Sequence, residues 1–168
     1  MPQMSFKKAI DNLLKDICNA CKEFYSDRLV SLVVFGSVAR GVSVPGSDID
    51  ILIVVEKLPG GRLKRVFEFQ KNIENKLEVH LNNLKKKGIH INISPVFKTP
   101  AEVEMGSPLF LDMTIDSLIL FDRKRFMKNY LKKLKEKLET LGSVRVQKGN
   151  AWYWVLKPDY KYGDIIEL

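Results

Sequence analysis

The chain has 168 residues, 45% of them hydrophobic, with 28 Lys and Arg against 20 Asp and Glu for a formal net charge of +8. That length suits one domain with at most a small appendage, the apolar fraction is ordinary for a globular protein, and two cysteines exclude a disulfide scaffold. No apolar run is long enough to cross a membrane, and the charged, helix-periodic start MPQMSFKKAIDNLLKDI does not read as a signal peptide, so the expected location is cytoplasmic. The positive balance suits a polyanionic partner (nucleotide, RNA or an acidic protein), and a lysine-rich solvated surface explains it equally well.

Taken in chain order, residues 5–25 place Phe6, Ile10, Leu13, Leu14, Ile17, Cys18, Cys21 and Phe24 at steps of three and four, which predicts an amphipathic helix. Cys18 and Cys21 lie within that pattern with no second cysteine pair, so they read as structural thiols on the helix face rather than a zinc or redox site. Leu29–Phe35 is a β-branched and aromatic run, hence a buried strand. A short helix over Ser37–Gly41 and a loop containing Pro45 lead to a second buried strand, Asp48–Val55. Pro59-Gly60-Gly61 breaks the chain before a long helix over Arg62–Lys87, striped by Val66, Phe69, Ile73, Leu77, Leu81 and Leu84 and closed by Gly88. Ile89–Phe97 is a third strand, and Ala101–Thr114 is irregular and helical around Pro108. A short strand follows at Leu118–Phe121. Arg123–Leu141 is a second long helix with Phe126, Tyr130, Leu134 and Leu138 facing in and a lysine-rich outer face. Val144–Val146 and Trp152–Leu156 read as strands, and the tail carries a candidate terminal strand. Charge density rises at Arg123, so the expected division is a core at 1–122 and a helix-plus-strands appendage at 123–168.

The stretch LVVFGSVARGVSVPGSDIDILIVV carries the chemistry. Side chains at i and i+2 of a strand share a face, so Asp48 and Asp50 stand side by side with Ile49 turned away. Two adjacent carboxylates repel, and a divalent cation with a preference for hard oxygen ligands resolves the conflict. Upstream, the Gly36-Ser37 turn offers close backbone approach and free N–H groups at a helix start, which suits phosphate. A phosphate cradle beside a Mg²⁺ site is equipment for nucleotide chemistry.

The pattern Gly36-Ser37, ten residues, Asp48-Ile49-Asp50 resembles the nucleotidyltransferases of the DNA polymerase beta superfamily, above all the small stand-alone proteins of archaea and bacteria. Ala39-Arg40-Gly41 and Ser47 also fit, and the strong likeness covers Leu29 to Val55. The resemblance implies an α/β (α+β) fold with a mixed sheet and helices packed on one face. It implies Mg²⁺ or Mn²⁺ as cofactor and an NTP, ATP first, as substrate. Asp48 and Asp50 would be the catalytic metal ligands, and Gly36, Ser37, Arg40 and Ser47 the nucleotide- and phosphate-binding residues. Arg40 also suits a surface salt bridge, and Ser47 a turn. The family's third carboxylate falls on the strand Gly88–Pro95, where Asn92 is the first candidate position and Ser94 the second; neither is acidic. Three accounts follow: Asn92 suffices as a metal ligand, a carboxylate from Glu102, Glu104 or Asp112 swings in, or nucleotide binds without turnover.

The reading favoured is transfer of a nucleoside monophosphate from an NTP to an acceptor hydroxyl on a small molecule or protein. The alternatives are a non-catalytic nucleotide-binding regulator, or the antitoxin-like partner of a small helical ribonuclease. RNA is a less favoured acceptor, and an oligomer is compatible with all three. Lys85-Lys86-Lys87 suits the negative pole of its helix ahead of a phosphate-binding role, and the basic face of 124–137 suits a solvated surface ahead of a grip on RNA or an acidic partner. Trp152 and Trp154 share one face of their strand and read as core or dimer packing ahead of stacking on a base.

Overall fold

The computed structural model describes residues 3–149 and 151–168. Four strands, β1 (Leu29–Phe35), β2 (Ile49–Val55), β3 (Ile93–Lys98) and β4 (Leu118–Asp122), form a sheet in the order β3-β2-β1-β4. β1 runs antiparallel to both β2 and β4, while β2 and β3 are parallel, so the sheet is mixed as expected. β1 and β2 are apolar on both faces because both faces are covered. Leu32, Val34, Ile49, Ile51, Ile53 and Val55 point to one side, and Val30, Val33, Leu52 and Val54 to the other. The alternation along β1 slips between Val30 and Leu32, where the register against β2 shifts. Such a bulge re-aims one side chain; here it buries the Ser31 hydroxyl completely, and that hydroxyl donates to Asp122 Oδ1 at 2.6 Å.

One face carries α1 (Gln3–Tyr25) and the pair α3 (Arg62–Phe69) and α4 (Asn75–Lys86). The predicted stripe of α1 is buried, including both cysteines, which are free thiols; burial pushes the Cys21 thiol up to about 12. α3 and α4 were expected as one helix. They are joined by a π turn at Gln70–Glu74. Phe69, Ile73, Leu77 and Leu81 recur every four residues, slower than the about 3.6 of an α-helix, so the stripe drifts by about 40° per step. One wide turn takes up the excess and keeps Phe69, Ile73, Leu77 and Leu84 on the core. Gly88, at φ +77°, then closes α4.

The other face is covered as well, by α5 (Pro100–Glu104), α6 (Leu109–Met113) and α7 (Phe126–Thr140). The one-faced arrangement therefore holds for the N-terminal half, and the helix assigned to the appendage covers the second face. α7 buries Met127, Leu131, Leu134 and Leu138, leaving Phe126 and Tyr130 half-buried, so its inner stripe is rotated from the expected one. The start of the helix sets this rotation. Lys124 and Arg125 take positive φ, and the Asp122 carboxylate then accepts from the N–H groups of Met127 (3.0 Å) and Lys128 (2.9 Å). Asp122 thus satisfies Ser31 and the first turn of α7 together. Asp122→Ala should lower stability by about 2 kcal/mol and the melting temperature by roughly 4–8 °C. A thermal melt checks this, with Asp122→Asn intermediate.

β5 (Val144–Lys148) and β6 (Ala151–Val155) form an antiparallel hairpin, and Trp154 and Leu156 pack against the α7 side of the core. Residues 157–168 form no strand. Among the described residues no helix is long and apolar enough to cross a membrane.

Candidate active site

β1 ends at Phe35, paired in register with Asp50 of β2. The chain then turns at Gly36 (φ +71°) into α2 (Gly36–Ala39). Two independent facts require glycine there. The positive φ disfavours any side chain, and a Cβ would collide with Asp50 Oδ2 and lie 3.2 Å from its Cγ. The backbone of the turn thus lies directly against the carboxylate. Ser37 sits half-buried in the first turn of α2, whose leading N–H groups have no intrahelical acceptor.

β2 begins at Ile49, one residue later than expected. The two-residue spacing still works: Ile49 is fully buried in the core, Asp48 is exposed and Asp50 is half-buried. Burial, and then the charge of Asp48, push the Asp50 carboxyl up; the Ser94 hydroxyl and the positive charge of Arg40 act the other way. This is the conflict a cation would relieve, and two hard carboxylates with neighbouring hydroxyl and amide oxygens fit one Mg²⁺. No group of three His, Cys, Asp or Glu side chains suited to a metal occurs among the described residues.

The expected third strand starts at Ile93 rather than Ile89, because β2 starts only at Ile49 and there is nothing earlier to ladder against. Residues 90–92 instead bond the acidic loop: Gly46 N–H donates to His90 O at 2.9 Å and Ile49 N–H to Asn92 O at 2.8 Å. Asn92 and Ser94 both reach the site. The Asn92 amide donates to Asp48 Oδ1 at 3.1 Å, so a half-turn of the amide would be needed to offer its oxygen to a metal. Ser94 pairs in register with Asp50, and its hydroxyl works to hold that carboxyl down. Sequence reasoning ranked Ser94 second because parity alone cannot distinguish positions 92 and 94.

Two of the substitute carboxylates are committed elsewhere. Glu102 closes a capping box with Thr99 and takes a bidentate bond from Arg65 (2.8 and 2.9 Å). Arg65 holds its carboxyl down at about 2, from an ordinary 4.5. Asp112 accepts from the indole N–H groups of Trp152 and Trp154, both at 2.9 Å. Glu104 is exposed on α5. Since the folded-state value of Glu102 lies below its unfolded one, its contribution is complete above about pH 4.5 and fades as pH falls toward 2. Glu102→Gln should therefore cost about 1–2 kcal/mol at pH 7. The difference from wild type should shrink between pH 4.5 and 2, read from urea midpoints across that range.

The Ser47 hydroxyl accepts from Val44 N–H at 2.9 Å and shapes the loop before β2, the turn role anticipated as its alternative. Arg40 makes no surface salt bridge among the described residues. Its guanidinium carbon lies 4.8 Å from the centroid of the Trp152 ring. That neighbour was not legible: a Trp-x-Trp strand shows which side chains share a face, not what the face meets.

Residues 14–107 match the family model for the nucleotidyltransferase domain. A protein of Methanocaldococcus jannaschii named as a candidate protein adenylyltransferase is 30% identical over 148 residues, covering 87% of this chain and 95% of that one. Among solved structures, a toxin–antitoxin with AMP-PNP superposes with a TM-score of 0.43 at 16% identity, covering 80% of this chain and 88% of that one. A candidate nucleotidyltransferase from Sulfolobus solfataricus gives 0.38 at 19%, covering 73% and 86%. The domain match spans more than half of the chain, and the Methanocaldococcus relative is matched over nearly its whole length. The chain belongs to the nucleotidyltransferase-domain family and is a nucleotidyltransferase.

Proposed function

We propose that the protein transfers a nucleoside monophosphate, AMP first, from an NTP to a hydroxyl of a protein acceptor, with Asp48 and Asp50 holding Mg²⁺. The observation that carries this reading is the close approach of the Gly36 turn to Asp50. It brings a phosphate-accepting backbone and an acidic pair within one site, at the register position where β1 and β2 begin to pair. The protein acceptor rests on the name borne by the Methanocaldococcus relative.

Gly36 lets the triphosphate approach the backbone, and Ser37 offers its hydroxyl and N–H to a terminal phosphate. Arg40 adds a positive charge on the same side as Asp50. Asp48 and Asp50 would hold the cation, which would supply neutralisation of the triphosphate charge and polarisation of the attacking hydroxyl. Ser94 and Asn92 hold the two carboxylates in place. Among the described residues no third carboxylate stands beside them, so the acceptor proton has no fixed base there, and slow transfer is the expected consequence.

The test is release of pyrophosphate from each of the four NTPs with Mg²⁺, with ATP labelled at its α-phosphate followed on a denaturing gel. Pyrophosphate release with label on protein is the expected result. Release without protein label would move the acceptor to a small molecule. Tight binding with no release would favour the non-catalytic nucleotide-binding alternative, the reading that the missing third carboxylate supports.

A further inference from the structure

We propose that the β5–β6 hairpin is part of the nucleotide site, with Trp152 a positioning residue that holds the Arg40 guanidinium ready for the triphosphate. The inference rests on the nucleotide-binding role given above to Arg40. Two guanidinium groups approach the same indole: the carbons of Arg40 and Arg145 lie 4.8 and 5.1 Å from the Trp152 ring. Arg145 is offset by Asp116 at 2.7 Å and Asp112 at 3.9 Å. Arg40 has no such ion pair among the described residues. Its backbone N–H donates to Gly36 O at 3.2 Å, and Gly36 lies directly against the Asp50 carboxylate, so Arg40 belongs to the turn beside the acidic pair.

The ring is itself fixed. Trp152 Nε1–H donates to Asp112 Oδ1 at 2.9 Å, and Trp154 shares that acceptor while its own ring packs on the core. A guanidinium resting on an indole engages its π face and leaves its in-plane N–H groups free. That suits a group awaiting phosphate oxygens: the side chain is ordered before the ligand arrives, so less rotamer freedom is lost on binding. The run from Asp112 through Trp152 to Arg40 therefore places a C-terminal element beside the acidic pair, outside the matched domain at 14–107.

The experiment measures affinity for ATP, GTP, CTP and UTP, each with Mg²⁺, by calorimetry on the full chain, with melting curves to confirm folding. Trp152→Leu should weaken binding of the accepted nucleotide about five- to tenfold, and Trp152→Phe, which keeps a ring, by no more than about twofold. Arg40→Ala and the double variant Arg40→Ala/Trp152→Leu should bind alike, because the indole acts through the guanidinium. A purely structural role would instead add its cost on top of Arg40→Ala. As a second readout, Trp154→Phe leaves Trp152 the sole indole, and its emission should change on nucleotide binding when its cation shifts. The converse variant, Trp152→Phe, should show no such change. Wild-type affinity in Trp152→Leu, or additive losses in the double variant, overturns this inference while leaving the nucleotide site intact. Failure of wild type to bind all four nucleotides overturns both.

Discussion

Asp50→Asn should reduce nucleotidyl transfer by about a thousandfold while making the protein melt at a higher temperature. The first effect follows from losing a charged metal ligand, which removes several kcal/mol of transition-state stabilisation. The second follows from the position of the carboxylate. Asp50 is half-buried, and burial and Asp48 both disfavour its charged form. Its folded-state value is raised, so its ionised form costs stability at neutral pH. That cost disappears as pH falls below the ordinary carboxylate range. A neutral Asn removes it at every pH, so the gain in melting temperature should be seen at pH 7 and vanish near pH 3. A residue kept for packing would lose stability when changed, and one kept for chemistry against its own stability gains. Melting in EDTA, where no cation compensates wild type, reads this most cleanly.

Gly36→Ala should be the most damaging single change that adds no charge and removes no functional group. It forces a side chain into a positive φ, at about 1–2 kcal/mol, and drives a Cβ into the Asp50 carboxylate. Displacement of that carboxylate by about 1 Å is enough for a hundredfold loss in rate. Gly41 supplies the matched control. It has the same φ of +71°, but a Cβ there would meet nothing within 4 Å. Gly41→Ala should lose a similar amount of stability and much less activity. Equal activity losses in the two variants would show that backbone strain, not the approach to Asp50, limits the site.

The strands β1 and β2 were legible because they are short apolar runs bounded by turn residues; that helices cover both faces of the sheet, rather than the one expected, followed only from where α5, α6 and α7 pack. The acidic pair was legible for a related reason: carboxylates beside a buried Ile49 have no packing purpose. What escaped the sequence depends on long-range geometry. The π turn at Gln70–Glu74 is a small correction to helical phase that a stripe of Phe69, Ile73 and Leu77 suggests only in hindsight. The rotation of α7 follows from Asp122 capping Met127 and Lys128, and nothing local reveals that Asp122 turns inward. The choice between Asn92 and Ser94 needed the register of a parallel pair: Asp50 opposite Ser94, with Asn92 just outside the strand on Asp48. Trp152 beside Arg40 joins residues far apart in the chain, and no periodicity encodes that.

Whether Asp48 and Asp50 bind nucleotide through a divalent cation is decided by calorimetric titration with ATP, in Mg²⁺ and in EDTA, on wild type and Asp48→Asn/Asp50→Asn. Wild type should bind in Mg²⁺ and little in EDTA, and the double variant should bind in neither buffer. Equal affinity in Mg²⁺ and EDTA, retained by the double variant, would rule out a cation-bridged site.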